Sequence, residues 1–111
     1  MPGKFELKKA KNGQVHFNLL ASNGQVILSS EQYKARASAL KGIESVRRNA
    51  ARDGAFESKS ASNGKHYFVL KATNGQVIGQ SQMYANAASC QNGIDSVRKH
   101  AVDAALAEAD H

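Results

Sequence analysis

Residues 12–27 read NGQVHFNLLASNGQVI, and residues 63–78 repeat the pattern as NGKHYFVLKATNGQVI. The repeat extends without a gap on both sides of this stretch. With an offset of 51 positions, 24 of the 46 residues from Phe5 to Ala50 are identical to their counterparts in Phe56 to Ala101. So tight a duplication separates the residues that the fold requires, which both copies keep, from those that one copy alone uses.

Each copy begins with three short segments that have the pattern of β-strands. In the first copy, Phe5 and Leu7 alternate with polar neighbours, and Val15, Phe17 and Leu19 alternate in the same way, which is the period of a half-buried strand. Asn-Gly pairs separate the segments. We predict type I′ hairpin turns there, because this pair accepts a positive φ at both central positions. Two such pairs in each copy predict two three-stranded antiparallel meanders.

The last segment of each copy has the pattern of an amphipathic helix. At 100° per residue, the apolar side chains around Ile43 share one face, and Lys41 and Arg48 lie on the opposite one. Gly42 and Gly93 stand in the middle of these helices, where glycine costs about 1 kcal/mol relative to alanine. Since both copies keep this glycine, we predict that another backbone approaches the helix closely there.

These elements predict an α+β fold of tandem βββα repeats. A repeat of 46 residues buries too little surface to be stable alone. We therefore expect one pseudo-two-fold symmetric domain with a shared core, in which two helices pack on an antiparallel sheet. The first repeat spans residues 1–51, and the second spans residues 52–111 with an acidic C-terminal tail. The tail, which has no counterpart in the first copy, is expected to extend the second helix or to fray; its acidic residues are Asp103, Glu108 and Asp110.

Three motifs together resemble the YegP-like family of small bacterial proteins, which are built from one or two copies of a domain of unknown function. They are SNGKHYFVLKA at residues 62–72, SQMY at residues 81–84, and the doubled GIxSVR of residues 42–47 and 93–98. The resemblance covers Phe5 to about Ala101. It implies an α+β fold with a repeat of three strands and a helix, and it implies no activity, cofactor or catalytic residue.

Composition argues against several classes of protein. No apolar run approaches the roughly 18 residues of a membrane span, and the N-terminus lacks the apolar core of a signal peptide. The single cysteine, Cys90, excludes an intramolecular disulfide and a cysteine-cluster metal site, and the histidines lack metal-ligand spacing. We expect a non-enzymatic cytoplasmic protein with no catalytic, metal-binding or cofactor-binding residues.

The candidate partner-binding residues are two polar pairs that both copies keep. Arg47 and Arg98 lie beside the apolar face of the helix, and Tyr33 and Tyr84 lie between the third strand and the helix. Each arginine can cover the core edge with its stem, pair with Glu6 or Glu57, or bind an anionic group of a partner. Each tyrosine can cap the core edge or stack on an aromatic group of a ligand.

The net charge of +6 belongs to the first repeat. Residues 1–51 contain nine Lys and Arg against three Asp and Glu, whereas residues 52–111 contain six of each. A basic field improves solubility and attracts polyanions weakly. The candidate polyanion contacts are Lys4, Lys8, Lys9, Lys11, Lys41 and Arg48.

The sequence therefore predicts an interaction or structural module, with weak nucleic-acid binding through the basic first repeat as the alternative. A protein partner is unidentified, and both a monomer and a homodimer are compatible with the sequence. Two surfaces can receive a partner. One is the apolar set Leu20, Tyr67 and Val69 on the strand face opposite Phe17 and Phe68. The other is an edge strand of a meander, which can accept a strand from another chain.

Overall fold

The computed structural model describes residues 3–52, 54–102 and 104–108, and of Glu108 only the backbone. Asp53, near the start of the second repeat, and Asp103 and Asp110 of the tail lie outside the described residues. Among the described residues, no helix is long and apolar enough to cross a membrane. The elements in chain order are β1 (Lys4–Lys9), β2 (Val15–Leu20), β3 (Val26–Ser29), α1 (Arg36–Ala50), β4 (Phe56–Ser60), β5 (His66–Lys71), β6 (Val77–Gln80), α2 (Ala87–Ala101) and β7 (Ala105–Glu108).

The seven strands form one sheet in the order β4-β5-β6-β3-β2-β1-β7. Strands β1 to β3 form one antiparallel meander and β4 to β6 form the other. The two meanders join through the antiparallel pairing of β3 and β6, where Ser29 faces Gln80. Because the six strands are arranged symmetrically about this pair, the predicted tandem βββα repeat with approximate two-fold symmetry is confirmed.

The four Asn-Gly hairpins form, but their turns are not of type I′. In the first, the Gly13 N–H donates to the Ala10 carbonyl at 3.0 Å, and the Ala10 N–H donates to the Gln14 carbonyl at 2.7 Å. Gly13 has φ +86°, whereas no described residue other than glycine has a positive φ. The loop is therefore a type I turn followed by a left-handed glycine. Asn12 keeps an ordinary φ and accepts a hydrogen bond from the Gln14 N–H through Oδ1 at 3.0 Å.

Both helices pack on the same face of the sheet. Six sheet residues on this face are fully buried with residues of both helices in one hydrophobic cluster, which draws on both repeats. The largest fully buried side chains in it are Phe5, Phe17, Leu19, Leu28, Phe68, Leu70, Val46, Val97 and Cys90. The alternate residues of the strands face the opposite side, so the sheet has one helix-covered face and one open face.

The mid-helix glycines face aromatic side chains, so the prediction of a close backbone approach is wrong. A Cβ added to Gly42 would overlap the Tyr33 hydroxyl and would lie 2.9 Å from Cε2 of Phe17. A Cβ on Gly93 would meet the Tyr84 hydroxyl in the same way. The tyrosine ring thus occupies the space that a side chain on the helix would need.

The tail adds a strand to the sheet, and the prediction that it would extend the helix or fray is wrong. Helix α2 ends at Ala101, and β7 runs parallel to β1 with Leu106 beside Phe5. Alanine-rich sequence favours a helix only weakly, and tertiary contacts override such a preference. Here β1 presents main-chain groups that its antiparallel partner leaves unpaired. Pairing with these groups makes the sheet mixed rather than wholly antiparallel.

Gly42→Ala tests the packing of the tyrosine. In an ordinary helix this change stabilises by about 1 kcal/mol. Here we expect it to lower the free energy of unfolding by about 1–3 kcal/mol, because the new methyl group overpacks against Tyr33 and Phe17. Denaturant unfolding measures the change. Lys41→Ala, on the exposed side of the same helix, is the control with little expected effect, and Tyr33→Phe should recover part of the loss. A stabilised Gly42→Ala variant would contradict this packing.

Candidate functional site

The strand β4 forms one edge of the sheet and leaves half of its main-chain groups unpaired. The Lys71 N–H donates to the Ala55 carbonyl at 2.8 Å, which fixes the alternation of the ladder between β4 and β5. The N–H and C=O groups of Phe56, Ser58 and Ser60 consequently point away from β5. Within residues 3–52, 54–102 and 104–108, no hydrogen bond engages these outward groups.

The equivalent groups of β1 are paired. The offset of the repeat matches Phe56 and Ser58 with Phe5 and Leu7, whose main-chain groups also point away from the meander. These two residues lie beside Leu106 and Glu108 of β7. The two outer strands of the repeats are thus equivalent in their sequence position and differ in whether an added strand covers them.

Each helix places an arginine over the phenylalanine of the outer strand. The guanidinium carbon of Arg47 lies 5.3 Å from the ring centroid of Phe5, and that of Arg98 lies 5.2 Å from the ring centroid of Phe56. Both distances are within the range of a cation–π interaction. The position of these arginines beside the apolar face, predicted from the helical pattern, is therefore the position that the structure shows.

The two arginines differ in their hydrogen bonds. Arg47 donates from Nη2 to the Ala104 carbonyl at 2.7 Å, just before β7, and from Nη1 to Oε1 of Glu44 at 3.2 Å. Arg98 has no hydrogen-bond or ion-pair partner among the described residues. Its side chain is exposed, whereas that of Arg47 is 32% exposed. The strand β7 accounts for the main-chain part of this difference, because it brings the carbonyl to Arg47, whereas the bond to Glu44 lies within the helix, and the second repeat has Asp95 in place of Glu44.

The ion pair with Glu6 or Glu57, one of the roles that the sequence allows for the arginines, does not form. Both carboxylates project from the open face of the sheet, where lysines pair with them: Glu6 with Lys8 at 3.4 Å, and Glu57 with Lys71 at 2.6 Å and Lys59 at 3.6 Å. The hydrogen bond from Lys71 and the charges of both lysines lower the pKa of the Glu57 carboxyl. The sheet thus separates the arginines from these carboxylates.

The tyrosines stack on the core. Tyr33 stacks on Phe17 with ring centroids 6.1 Å apart and an interplanar angle of 12°, and Tyr84 stacks on Phe68 at 6.3 Å and 14°. Burial raises the pKa of both phenols, and the charge of Glu31 adds to this effect at Tyr33. One ring face of each tyrosine is therefore already covered by the protein itself.

The structure brings the tyrosine and the arginine of each repeat to the two ends of one row. In the first repeat the row is Tyr33, Phe17, Phe5 and Arg47, in which the two phenylalanines meet edge to face at 5.9 Å and 73°. In the second repeat the row is Tyr84, Phe68, Phe56 and Arg98. Its two phenylalanines meet edge to face with ring centroids 5.7 Å apart and an interplanar angle of 70°. The tyrosine end serves the core, and the arginine end reaches the sheet edge.

The basic candidates of the first repeat do not form one patch. Lys4 and Lys8 project from the open face of the sheet, whereas Lys41 and Arg48 are exposed on the outer side of α1. Since the helix packs on the other face, these two groups lie on opposite sides of the molecule. The remaining candidates are exposed at the end of β1 and in the turn that follows it, as Lys9 and Lys11.

A cleft of about 350 Å³ lies between the end of α1 and the β5–β6 turn; it is lined by Ser45, Arg48, Asn49, Arg52, Ala72 and Thr73. Arg52 is held in place, because it donates to Oδ1 of Asn49 at 3.1 Å and to the Lys71 carbonyl at 3.0 Å. Arg48 is the polyanion candidate that reaches this cleft.

The apolar set on the open face offers little exposed surface. Leu20 and Val69 are buried, with only 8% and 3% of their surface exposed, and Tyr67 is half-buried. Of the two partner surfaces that the sequence predicts, the sheet edge is therefore the better candidate. Sequence reasoning did not identify Phe56, Ser58 and Ser60 as its residues. The available signal was the polar composition of β4, FESKS, which has one apolar residue in five and is typical of an edge strand.

Alanine variants of the two arginines test their unequal roles. We expect Arg47→Ala to lower the free energy of unfolding by about 1–2 kcal/mol more than Arg98→Ala, because only Arg47 donates to a main-chain carbonyl. Denaturant unfolding of both variants measures the difference. Amide exchange of β1 should also rise in Arg47→Ala, since β7 loses an anchor. Equal destabilisation by the two substitutions would contradict this assignment.

Comparison with known proteins agrees with the fold. The chain matches twice, over residues 10–57 and 61–108, the family described as Domain of unknown function (DUF1508). It is 62% identical over 108 residues to UPF0339 protein PA0329 of Pseudomonas aeruginosa, with 97% of this chain and 98% of that protein covered. It is 50% identical over 104 residues to UPF0339 protein YegP of Yersinia pestis, with 94% and 93% covered.

Two solved structures are similar over nearly the whole chain. The solution NMR structure of YegP from Escherichia coli, a protein of unknown function, has a TM-score of 0.91 and 49% identity and covers 97% of this chain and 93% of that one. That of UPF0339 protein SO3888 from Shewanella oneidensis has a TM-score of 0.91 and 44% identity, with 97% and 92% covered. These relatives indicate no function. The chain belongs to the DUF1508 family, as a tandem member similar to YegP.

Proposed function

We propose that this protein is a non-catalytic cytoplasmic interaction module that binds an extended segment of a protein partner at the free edge of β4. The observation that supports the proposal is the contrast between the two outer strands. Phe56 and Ser58 present unpaired main-chain groups, whereas the equivalent groups of Phe5 and Leu7 in β1 already hold a strand. Unpaired groups along an edge are a template for strand addition.

The other edge of the sheet is a weaker candidate. It is formed by β7, which spans four residues, against five in β4. The edge of β4 also has a guanidinium beside it, that of Arg98, without a hydrogen-bond partner among the described residues. An added strand therefore finds both main-chain partners and a cationic side chain at β4.

The side chains of β4 make its edge selective. Glu57 and Lys59 project from the open face, and their charges discourage the indiscriminate pairing that a flat apolar edge promotes. Phe56 and Arg98 lie on the helix side of the same strand. A partner segment must consequently satisfy an ion-paired surface on one side and an aromatic–guanidinium surface on the other.

The single cysteine supports the cytoplasmic assignment. Cys90 is buried and unpaired, so the fold needs no disulfide. Free thiols of this kind suit the reducing environment of the cytoplasm.

Ser58→Pro tests strand addition at β4. Proline removes the outward N–H, which the fold does not use, and an edge strand tolerates it for that reason. A library of random twelve-residue peptides displayed on phage is selected on the immobilised protein. We expect enriched sequences that bind the parent and lose at least about tenfold in affinity on Ser58→Pro, because a ladder hydrogen bond is lost and the ring obstructs the edge.

Ser58→Thr is the matched control, since it retains the N–H and favours a strand. Peptides that bind through the main chain of β4 should bind this variant as they bind the parent. Failure to enrich any peptide, or equal binding to parent and Ser58→Pro, would count against the proposal.

Polyanion binding through the basic first repeat is the alternative. Its support is the charge of residues 1–51 and the cleft that Arg48 lines. The distribution of the lysines over two opposite sides gives one polyanion chain few simultaneous contacts, so we rank this function second.

Retention on heparin checks the alternative. If a polyanion binds, the protein should elute at a salt concentration that falls when Lys4 and Lys8 are replaced by glutamine, because fewer counterions are released. Lys59→Gln, on the second repeat, whose net charge is zero, is the matched control. Absence of retention at about 50 mM salt would exclude this function.

A further inference from the structure

We propose that the edge of β4 receives a strand that runs parallel to β4, in the register that β7 adopts on β1. In this arrangement Arg98 binds the carbonyl two residues before the partner residue that faces Phe56. The inference rests on the proposed function and specifies the direction, register and composition of the partner segment. The protein's own tail supplies the pattern, because it covers the equivalent edge.

The surroundings of the two edges are nearly the same apart from the added strand. Each outer phenylalanine meets its neighbour edge to face, at 5.9 Å in one repeat and 5.7 Å in the other. Each also has a guanidinium at 5.3 or 5.2 Å. Phe5 is completely buried, whereas Phe56 is only partly buried. A strand placed on β4 as β7 is placed on β1 would complete the burial of Phe56.

Arg98 provides the second, independent observation. Arg47 donates to the Ala104 carbonyl, and Ala104 precedes by two positions the residue that faces Phe5. The carbonyl stands at the Lys4 end of β1 because β7 runs parallel to that strand. By the repeat, a parallel strand on β4 places its corresponding carbonyl at the Ala55 end, beside Arg98. This guanidinium is exposed and has no other hydrogen-bond partner among the described residues.

The composition of β7 indicates which segments fit. Leu106 lies beside Phe5 on the helix side of the sheet, and cross-strand neighbours share a face. Its neighbours are the small residues Ala105 and Ala107, which lie on the open face. On β4 the open face contains the ion pairs of Glu57 with Lys59 and Lys71. We therefore expect a partner segment with one aliphatic residue between small ones.

A peptide with the tail sequence tests the inference. The probe is acetyl-AALAE-amide, which has the sequence of Ala104–Glu108, titrated into the ¹⁵N-labelled full chain and followed by NMR. We expect the amide signals of Phe56 and Ser58 to shift with a Kd of about 1–5 mM, as suits so short a ligand. The signals of Phe5 and Leu7 should stay in place, because β7 covers them.

Three variants of helix α2 isolate the carbonyl contact. Arg98→Ala should weaken binding of the probe about tenfold, since it removes a charge-assisted hydrogen bond. Lys99→Ala removes the same charge from the next residue of the helix and should leave the Kd unchanged. Arg98→Lys, which keeps the charge and loses the planar fork, should give an intermediate loss.

A nitroxide label on the probe determines its direction. With the label at the N-terminus, a parallel strand broadens the signals of Gly54 and Ala55; with the label at the C-terminus, it broadens those of Ser60 and Ala61. The opposite result would show an antiparallel strand and would overturn this inference. That result would leave the proposed function intact. If peptides from the phage selection bind β4 while the probe does not bind up to about 10 mM, the inference is likewise overturned and the proposed function is retained.

Two further outcomes also overturn the inference. If Arg98→Ala and Lys99→Ala weaken the probe equally, the guanidinium contributes only charge. If sedimentation shows a concentration-dependent dimer that Ser58→Pro abolishes and Ser58→Thr preserves, the edge is occupied by β4 of a second copy. Failure of both the probe and the peptide library would remove the proposed function together with this inference.

Discussion

Burial of two phenylalanines in each repeat is the constraint on which the rest of the structure depends. Phe5 and Phe17 in the first repeat, and Phe56 and Phe68 in the second, lie on neighbouring strands and meet edge to face. A three-stranded meander cannot cover such rings alone, so a helix must lie across them. The mid-helix glycine follows from this, because the helix must also leave room for a tyrosine that closes one end of the row. The arginine covers the other end.

Joining the two meanders pairs their inner edge strands and leaves their outer edge strands to be covered in another way. Each meander has an inner and an outer edge, and the pairing of β3 with β6 consumes the inner ones. The outer edges belong to β1 and β4, which have equivalent positions in the repeat. A single tail can cover only one of them. Because both repeats keep the arginine and the ring beneath it, the main-chain hydrogen bond that only Arg47 makes is informative, since it arises from the tail rather than from the arginines or their rings.

The sequence predicted the elements that depend on local pattern and missed those that depend on contacts between distant residues. Alternation and Asn-Gly pairs were enough for two meanders, and the helical period placed Arg47 and Arg98 beside the apolar face. The turn type was wrong because Oδ1 of Asn12 accepts a hydrogen bond from the Gln14 N–H, so that only Gly13 needs a positive φ. The glycine contact and the strand β7 were missed because neither a tyrosine nine residues away nor an unpaired strand edge shows in a local window.

The boundaries of the two family matches explain why the tail is a strand and why β4 has a free edge. Residues 10–57 and 61–108 each contain two strands, a helix and the beginning or whole of one further strand. In the first unit that strand is β4, which pairs with β5 of the second unit. In the second unit that strand is β7, which pairs with β1. The two meanders have two outer strands, β1 and β4, and the one added strand, β7, covers only β1. The edge that stays open is the one beside Arg98, and a partner strand there would repeat an arrangement that the chain already makes with itself.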